Sequence, residues 1–145
     1  MTPKEIIAKL PYKYPFLFVD EIIAIDEDTV LGSYTFPNTL PFYDGHFENN
    51  PITPGVILIE AMAQIGVVCL GIYLSKDEEL SNNNFQIAMT SSNVDYFIPV
   101  LPDEKVTVKS QKEYFRFNKL KCKVEMYNDK EQLVCRGVIA GMVKY

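Results

Sequence analysis

The chain has 145 residues, of which 48% are hydrophobic and 23% charged, enough for one globular domain (residues 1–145) with a buried core. Its net charge of −5 argues against nucleic acid as a partner. Its three cysteines are odd in number and widely spaced, which predicts neither a disulfide framework nor a zinc site. Free thiols favour a reducing, cytoplasmic compartment.

The first third of the chain predicts a short helix followed by a β-hairpin. Residues 2–5 read Thr-Pro-Lys-Glu, the pattern of a helix N-terminus, and predict a helix over about residues 3–10. Apolar and β-branched residues over 16–25 predict a strand. Residues 30–36 are its expected hairpin partner, across a turn at residues 26–28.

A long loop and a buried helix occupy the middle of the chain. Residues 37–54 contain four prolines and predict an ordered loop, with the chain's only histidine, His46, near its centre. Thr53 is the predicted N-cap of the next helix. Residues 54–74 are apolar on every face, which is typical of a buried helix, and polar residues 75–84 end it.

No membrane segment is predicted. The N-terminus lacks the basic region and apolar run of a signal peptide. The central helix is long enough to cross a bilayer, but Glu60 and Gln64 near its middle, together with three glycines, argue against that. A soluble protein is the expected class.

The rest of the chain alternates strands and turns, with strands predicted at about 86–98, 104–116, 119–128 and 132–143. One long apolar helix and about six strands predict an α+β fold. No second helix of comparable length exists to cover the first. A curved antiparallel sheet is therefore expected to wrap around it.

Four polar or special positions are candidates for chemistry. The imidazole of His46 suits proton transfer near neutral pH, although a single loop histidine taken alone more often serves a structural hydrogen bond. Glu60 and Gln64 share a helix face, so Gln64 is predicted to orient the Glu60 carboxylate; a solvent-facing or subunit-facing polar stripe is the alternative. Gly55 lies at the helix start, where unpaired N–H groups stabilise developing negative charge; close packing is the alternative.

One basic stretch stands out on this acidic chain. Its positive charge could attract an acidic partner. The alternative interpretation, for most of its residues, is that they simply form the solvent-exposed face of a hairpin. Its members are Lys109, Lys112, Arg116, Lys119, Lys121 and Lys123.

Three segments together resemble the FabZ-type 3-hydroxyacyl-[acyl-carrier-protein] dehydratases of the hot-dog fold. They are residues 10–20 (LPYKYPFLFVD), 45–47 (GHF) and 54–64 (PGVILIEAMAQ), and Pro-Val followed by Pro-Asp at 99–103 matches a later landmark. The most specific element is a histidine and a glutamate 14 positions apart, with the helix-start glycine between them. The resemblance spans nearly the whole chain.

The resemblance implies a role for each candidate residue. His46 is the base that takes the α-proton of a 3-hydroxyacyl thioester, and Glu60 protonates the departing hydroxyl. Gln64 holds Glu60. The N–H of Gly55 binds the thioester carbonyl, and the carbonyl of Ile52 orients the imidazole. Neither a metal nor an organic cofactor is implied.

The resemblance also implies partners. The substrate is an acyl carrier protein bearing a 3-hydroxyacyl phosphopantetheine. The basic stretch described above, rather than the family pattern, suggests Arg116, Lys119 and Lys121 for its docking. Sites in this family form between two subunits, so a homodimer, a trimer of dimers or a heterodimer with a related hot-dog chain is expected. The central helix would then line a tunnel for the acyl chain. Neither nucleic acid nor a membrane is an expected partner.

The chain departs from the family pattern at three places, and two of these departures remove basic residues that help to dock the carrier. Glu21 follows Val-Asp, residues 95–98 (DYFI) lack a positive charge, and residues 102–104 read PDE where Pro-Gly-Asp is usual. The hypothesis is a specialised, polyene- or polyketide-type pathway rather than housekeeping fatty-acid synthesis. A hot-dog thioesterase using Glu60, or a non-catalytic acyl-binding subunit, are the alternative functions.

Overall fold

The computed structural model describes residues 1–77 and 85–144, in which one six-stranded sheet is folded around a central helix. The helical segments are α1 (Pro3–Ala8), a 3-10 turn (Pro41–Asp44), α2 (Gly55–Ala63), a π-helical turn (Gln64–Val68) and α3 (Cys69–Leu74). The strands are β1 (Glu21–Ile25), β2 (Thr29–Thr35), β3 (Gln86–Tyr96), β4 (Lys105–Arg116), β5 (Lys119–Tyr127) and β6 (Leu133–Lys144).

The sheet has the order β1-β2-β4-β5-β6-β3, and every neighbouring pair is antiparallel. Register shifts in β1, β3 and β4 mark bulges, which increase local twist and help the sheet to curve. The buried face of the sheet packs on the central helix and forms a single core. The predicted α+β hot-dog fold is confirmed.

The first helix forms as its sequence predicts. Thr2 and Glu5 make a capping box, in which the Thr2 Oγ1 accepts from the Glu5 N–H at 3.2 Å and the Glu5 carboxylate accepts from the Thr2 N–H at 2.8 Å. The helix ends at Ala8, two residues before the predicted end. Leu10 precedes Pro11, and a residue before proline is disfavoured in helical conformation.

The strand predicted over residues 16–25 is correct only for its second half, since β1 begins at Glu21. The first half lies across the central helix, where the Phe18 N–H donates to Gln64 Oε1 at 2.8 Å. Phe18 is fully buried, with its ring centroid 5.6 Å from that of Tyr34. A short apolar run does not distinguish a strand from a buried extended segment, which explains the error.

The helical segments α2, π turn and α3 run as one continuous helix, Gly55–Leu74. It is apolar and long enough to span a membrane, but 72% of its most apolar stretch is buried within the fold, as predicted for a core helix. The π turn was not predicted; beside it, Ser110 Oγ on β4 donates to the Gly66 carbonyl at 2.9 Å. The predicted polar segment after the helix lies mostly outside the described residues.

The predicted N-cap of the central helix is wrong. Pro54 occupies the N-cap position and Gly55 is the first helical residue. Thr53 is thus one residue too early to cap, and its buried Oγ1 lies 2.6 Å from the Tyr43 hydroxyl instead. This contact ties the long loop to the start of the helix.

Strand β3 forms one edge of the sheet. Among the described strands it pairs with β6 alone, and most of its 11 residues are exposed. It contains neither proline nor lysine, two residues that commonly protect an edge strand. Its outer edge is therefore free to pair with another strand.

Candidate active site

The loop that carries His46 is held by backbone hydrogen bonds. The His46 N–H donates to the Phe42 carbonyl at 3.0 Å, and the Ile52 N–H donates to the His46 carbonyl at 2.9 Å. Just before the helix, the Thr53 N–H donates to the Val100 carbonyl at 2.8 Å. These bonds fix the backbone on both sides of the histidine.

The imidazole of His46 has a defined orientation. Its Nδ1 lies 2.9 Å from the carbonyl oxygen of Ile52. Because a carbonyl oxygen only accepts hydrogen bonds, Nδ1 carries the proton and donates it. Nε2 is then the unprotonated nitrogen, available to take a proton. Phe47 stacks on the imidazole with ring centroids 4.0 Å apart, which further limits its rotation.

His46 and Gly55 line one open groove of about 370 Å³. As the first residue of α2, Gly55 has a backbone N–H with no partner within the helix, at the positive end of the helix dipole. An oxygen that gains negative charge in this groove finds that N–H as a donor. The structure thus brings together the base and the oxyanion donor named from the sequence.

Tyr96 is a site residue that sequence reasoning missed. Its hydroxyl donates to the Gly55 carbonyl at 3.0 Å, and its ring lies 3.2–3.4 Å from where a Cβ on Gly55 would stand. Tyr96 therefore forms one wall of the groove and holds the first helical turn. The sequence carries no signal for this contact, because the two residues are 41 positions apart.

Glu60 lies on a different side of the central helix. Five residues after Gly55, it is rotated by about 140° around the helix axis. It lines a second cavity, of about 50 Å³, together with Tyr12 and residues of β3 and β6. Burial raises the pKa of Glu60 above its usual value, and the neighbouring Gln64 amide opposes part of that rise. The raised pKa favours a protonated acid, as expected for proton donation.

Besides its influence on Glu60, Gln64 bonds to the N-terminal segment, which the sequence did not predict. Gln64 is fully buried, its Oε1 accepts from the Phe18 N–H at 2.8 Å, and its Nε2 donates to the Phe16 carbonyl at 3.0 Å. Within the described chain, no hydrogen bond of standard geometry joins it to Glu60. These two backbone groups need partners within the fold, because buried polar groups are costly without hydrogen bonds. Gln64 therefore anchors the N-terminal segment over the helix.

The three residues assigned to carrier docking lie together at the β4–β5 hairpin. None of them lines the groove that contains His46. Arg116 is exposed and stacks its guanidinium over Tyr114, 4.4 Å from the ring centroid. Lys119 follows the two-residue turn, and the Lys121 Nζ lies 3.8 Å from the Glu113 carboxylate. At the tip, Phe117 is 91% exposed. The hairpin thus presents an aromatic tip flanked by basic groups.

Within residues 1–77 and 85–144, no group of three or more histidine, cysteine or acidic side chains is close enough to hold a metal ion. The three cysteines are buried and unpaired with one another.

Comparison with known proteins gives one consistent result. Residues 10–136 match the family model described as a FabA-like domain. A 3-hydroxyacyl-[acyl-carrier-protein] dehydratase FabZ from Ehrlichia canis is 33% identical, covering 97% of this chain and 94% of the relative. The FabZ from Rhizobium etli strain CFN 42 is 38% identical, covering 96% and 86%.

Solved structures show the same fold. The dehydratase heterocomplex ApeI:P from Xenorhabdus doucetiae matches with a TM-score of 0.80 at 13% identity, covering 100% of this chain and 93% of that chain. A hypothetical thioesterase from Streptococcus pneumoniae, solved with coenzyme A, matches with a TM-score of 0.65 at 16% identity, covering 86% and 84%. With the family model and the curated relatives spanning nearly its full length, the chain belongs to the FabZ-type 3-hydroxyacyl-[acyl-carrier-protein] dehydratases of the FabA-like family.

Proposed function

We propose that this chain removes water from 3-hydroxyacyl groups held as thioesters on an acyl carrier protein, giving trans-2-enoyl thioesters. The activity is the one named for its full-length relatives. The observation that supports it most directly is the groove in which an oriented His46 lies with the free N–H of Gly55. Residues 1–145 would form one catalytic domain, in the cytoplasm.

The proposed reaction uses this chain's own residues for each transfer. Nε2 of His46 removes a proton from C2, and the electron pair moves toward the thioester carbonyl, whose oxygen accepts from the Gly55 N–H. Glu60, in the protonated form that burial favours, gives its proton to the C3 hydroxyl, which leaves as water as the double bond forms. His46 gains one proton and Glu60 loses one, so the net charge of the pair does not change. Proton exchange with solvent then restores both residues.

A homodimer would bring the two halves of this site together. In a symmetric pair formed through the free edge of β3, the strand runs antiparallel to its copy, so the Tyr96 end of one meets the Gln86 end of the other. The His46 groove lies beside the Tyr96 end, and the Glu60 cavity includes Ile87 near the Gln86 end. His46 of one subunit would therefore act with Glu60 of its partner.

An intact-mass experiment tests the proposed reaction. Incubated with 3-hydroxybutyryl acyl carrier protein from the same cells, the protein should lower the mass of the substrate by one water while the thioester stays intact. Loss of the acyl group would indicate thioester hydrolysis instead. No change, with an active FabZ as a positive control, would indicate a non-catalytic acyl-binding subunit and overturn the proposal.

The same assay tests the specialised-pathway hypothesis. The chain carries acidic or neutral residues at two places where basic residues favour the carrier protein, Glu21 and the segment that begins at Asp95. We expect slow turnover with the host's general fatty-acid carrier protein and faster turnover with a carrier from a dedicated pathway. Efficient turnover with the general carrier would contradict the hypothesis.

Docking on the basic hairpin predicts a charge-dependent change in KM. Replacing both Arg116 and Lys119 by glutamate should raise the KM for carrier-bound substrate about tenfold, because attraction for the acidic carrier is lost, and should weaken its salt dependence. The KM for a small pantetheine thioester should stay unchanged. The double variant Lys4→Glu/Lys9→Glu makes the same charge change on exposed α1 residues and serves as the control. Equal effects of both pairs would argue against the hairpin.

A further inference from the structure

The cavity beside Glu60 is small. Its volume is about 50 Å³, well below the roughly 300–1,000 Å³ of a typical ligand pocket. Its lining residues with polar side chains are Tyr12 and Glu60. Its other walls are mainly apolar and include Val67, Ile87 and Met89. An acyl chain with its C3 hydroxyl at Glu60 would extend its remaining carbons toward these apolar walls.

Ile87 closes the space between the central helix and strand β6. A Cβ placed on Gly71 of the helix would lie 2.5 Å from Ile87 Cδ1, and one placed on Gly141 of β6 would lie 2.5 Å from Ile87 Cγ2. The Ile87 side chain thus fills the room that both glycines leave. Behind it, Phe85 and Leu120 are buried in the core and contact the same site on Gly71. Ile87 also lines the cavity beside Glu60, so it occupies space that a longer hydrocarbon chain following the helix would need.

We propose that this enzyme accepts short 3-hydroxyacyl groups in preference to long ones, and that Ile87 sets the limit. The inference rests on the proposed dehydration, because that reaction puts the C3 hydroxyl at Glu60. The side chain acts by occupying the volume that further methylenes need. A methylene in an apolar pocket changes specificity by about 10- to 200-fold, so the limit should be sharp.

The test compares two chain lengths on a carrier-independent substrate. With 3-hydroxybutyryl- and 3-hydroxydecanoyl-pantetheine, ultraviolet absorbance of the enoyl thioester gives kcat/KM for each. For the wild-type protein we expect the value for the longer chain to be lower by roughly 100-fold or more. In Ile87→Ala, the ratio between the two should fall by about tenfold or more, because the longer chain gains access. Ile87→Val, which removes one methyl group, should shift the ratio less, in the same direction.

Val94→Ala is the matched control. Val94 lies on the same strand, is half-buried and does not line the cavity beside Glu60. It should leave the ratio unchanged. Equal kcat/KM for both lengths in the wild-type protein would overturn the chain-length inference and leave the dehydratase proposal standing. Failure to dehydrate either substrate, and also carrier-bound 3-hydroxybutyrate, would overturn both. An unchanged ratio in folded Ile87→Ala and Ile87→Val would remove Ile87 as the determinant.

Discussion

Two inactive variants, His46→Ala and Glu60→Gln, should regain activity when they are mixed. Each alone should lose about 10²- to 10⁴-fold in kcat, the usual contribution of one proton-transfer group. If the two subunits reassociate at random after unfolding and refolding together, half of the dimers contain one chain of each kind. One of the two sites in such a dimer has both residues intact. The mixture should therefore reach about a quarter of the wild-type rate.

The physical basis is the separation of the two residues within one chain. His46 lies in the groove at the Tyr96 end of β3, whereas Glu60 faces the cavity reached from the other end. The measurement is the dehydration rate of refolded mixtures as the ratio of the two variants is varied. The rate should be highest at equal amounts. Refolding either variant alone should restore nothing.

Stability against pH shows whether Glu60→Gln is folded and tests the state of Glu60. Burial raises its pKa, so ionisation costs more in the folded than in the unfolded chain. At low pH the carboxyl is protonated in both states, and glutamate and glutamine should be equally stable. As the pH rises above the usual carboxyl range the wild type should lose stability relative to Glu60→Gln. The Tm of the variant should therefore be slightly higher at neutral pH.

Two results would contradict the split site. Folded single variants whose mixture shows no recovery would indicate that each site uses residues of one chain. Near wild-type activity in either single variant would remove that residue from the acid–base pair. Dimer exchange is checked independently by mass, with one variant isotopically labelled.

Much of the fold follows from local patterns. The hairpin turn between β5 and β6 and the strands themselves were predicted to within two residues at most ends, because alternating side chains and turn residues act locally. The burial of the central helix follows from apolar residues on all its faces. Residues 16–19 were wrongly predicted as strand because tertiary contacts, not local sequence, determine their conformation. Phe18 packs in the core without joining a strand.

The site was less completely predictable. Its proposed base, its carboxylic acid and its helix-start glycine were candidates from residue type, spacing and the family resemblance. The partners of Tyr96 and Gln64 were not, because each bonds to backbone more than 40 positions away in the chain. The π turn that begins at Gln64 was also missed. Such a turn shifts later side chains around the helix, and no propensity signals it.

Replacing Gln64 by leucine should destabilise the protein and lower its activity through the N-terminal segment. The Phe18 N–H and the Phe16 carbonyl would both lose their partner, at about 1–3 kcal/mol for each buried group. The free energy of unfolding, from urea denaturation, should fall by roughly 2–5 kcal/mol. Activity should fall as well, since Tyr12 and Phe16 lie in the segment that closes the Glu60 cavity.

The distinguishing measurement is hydrogen exchange at the Phe18 amide. In Gln64→Leu the protection of the Phe18 amide should drop toward that of an exposed amide. The protection of amides in β4 and β5 should fall only as far as the free energy of global unfolding falls. Met62→Leu, a volume-conserving change at a buried position on the same helix, should cost less than about 1.5 kcal/mol and leave Phe18 protected. If Gln64→Leu kept the stability and the Phe18 protection of the wild type but lost activity, Gln64 would act directly on Glu60. The pairing predicted from the four-residue spacing would then be the functional one.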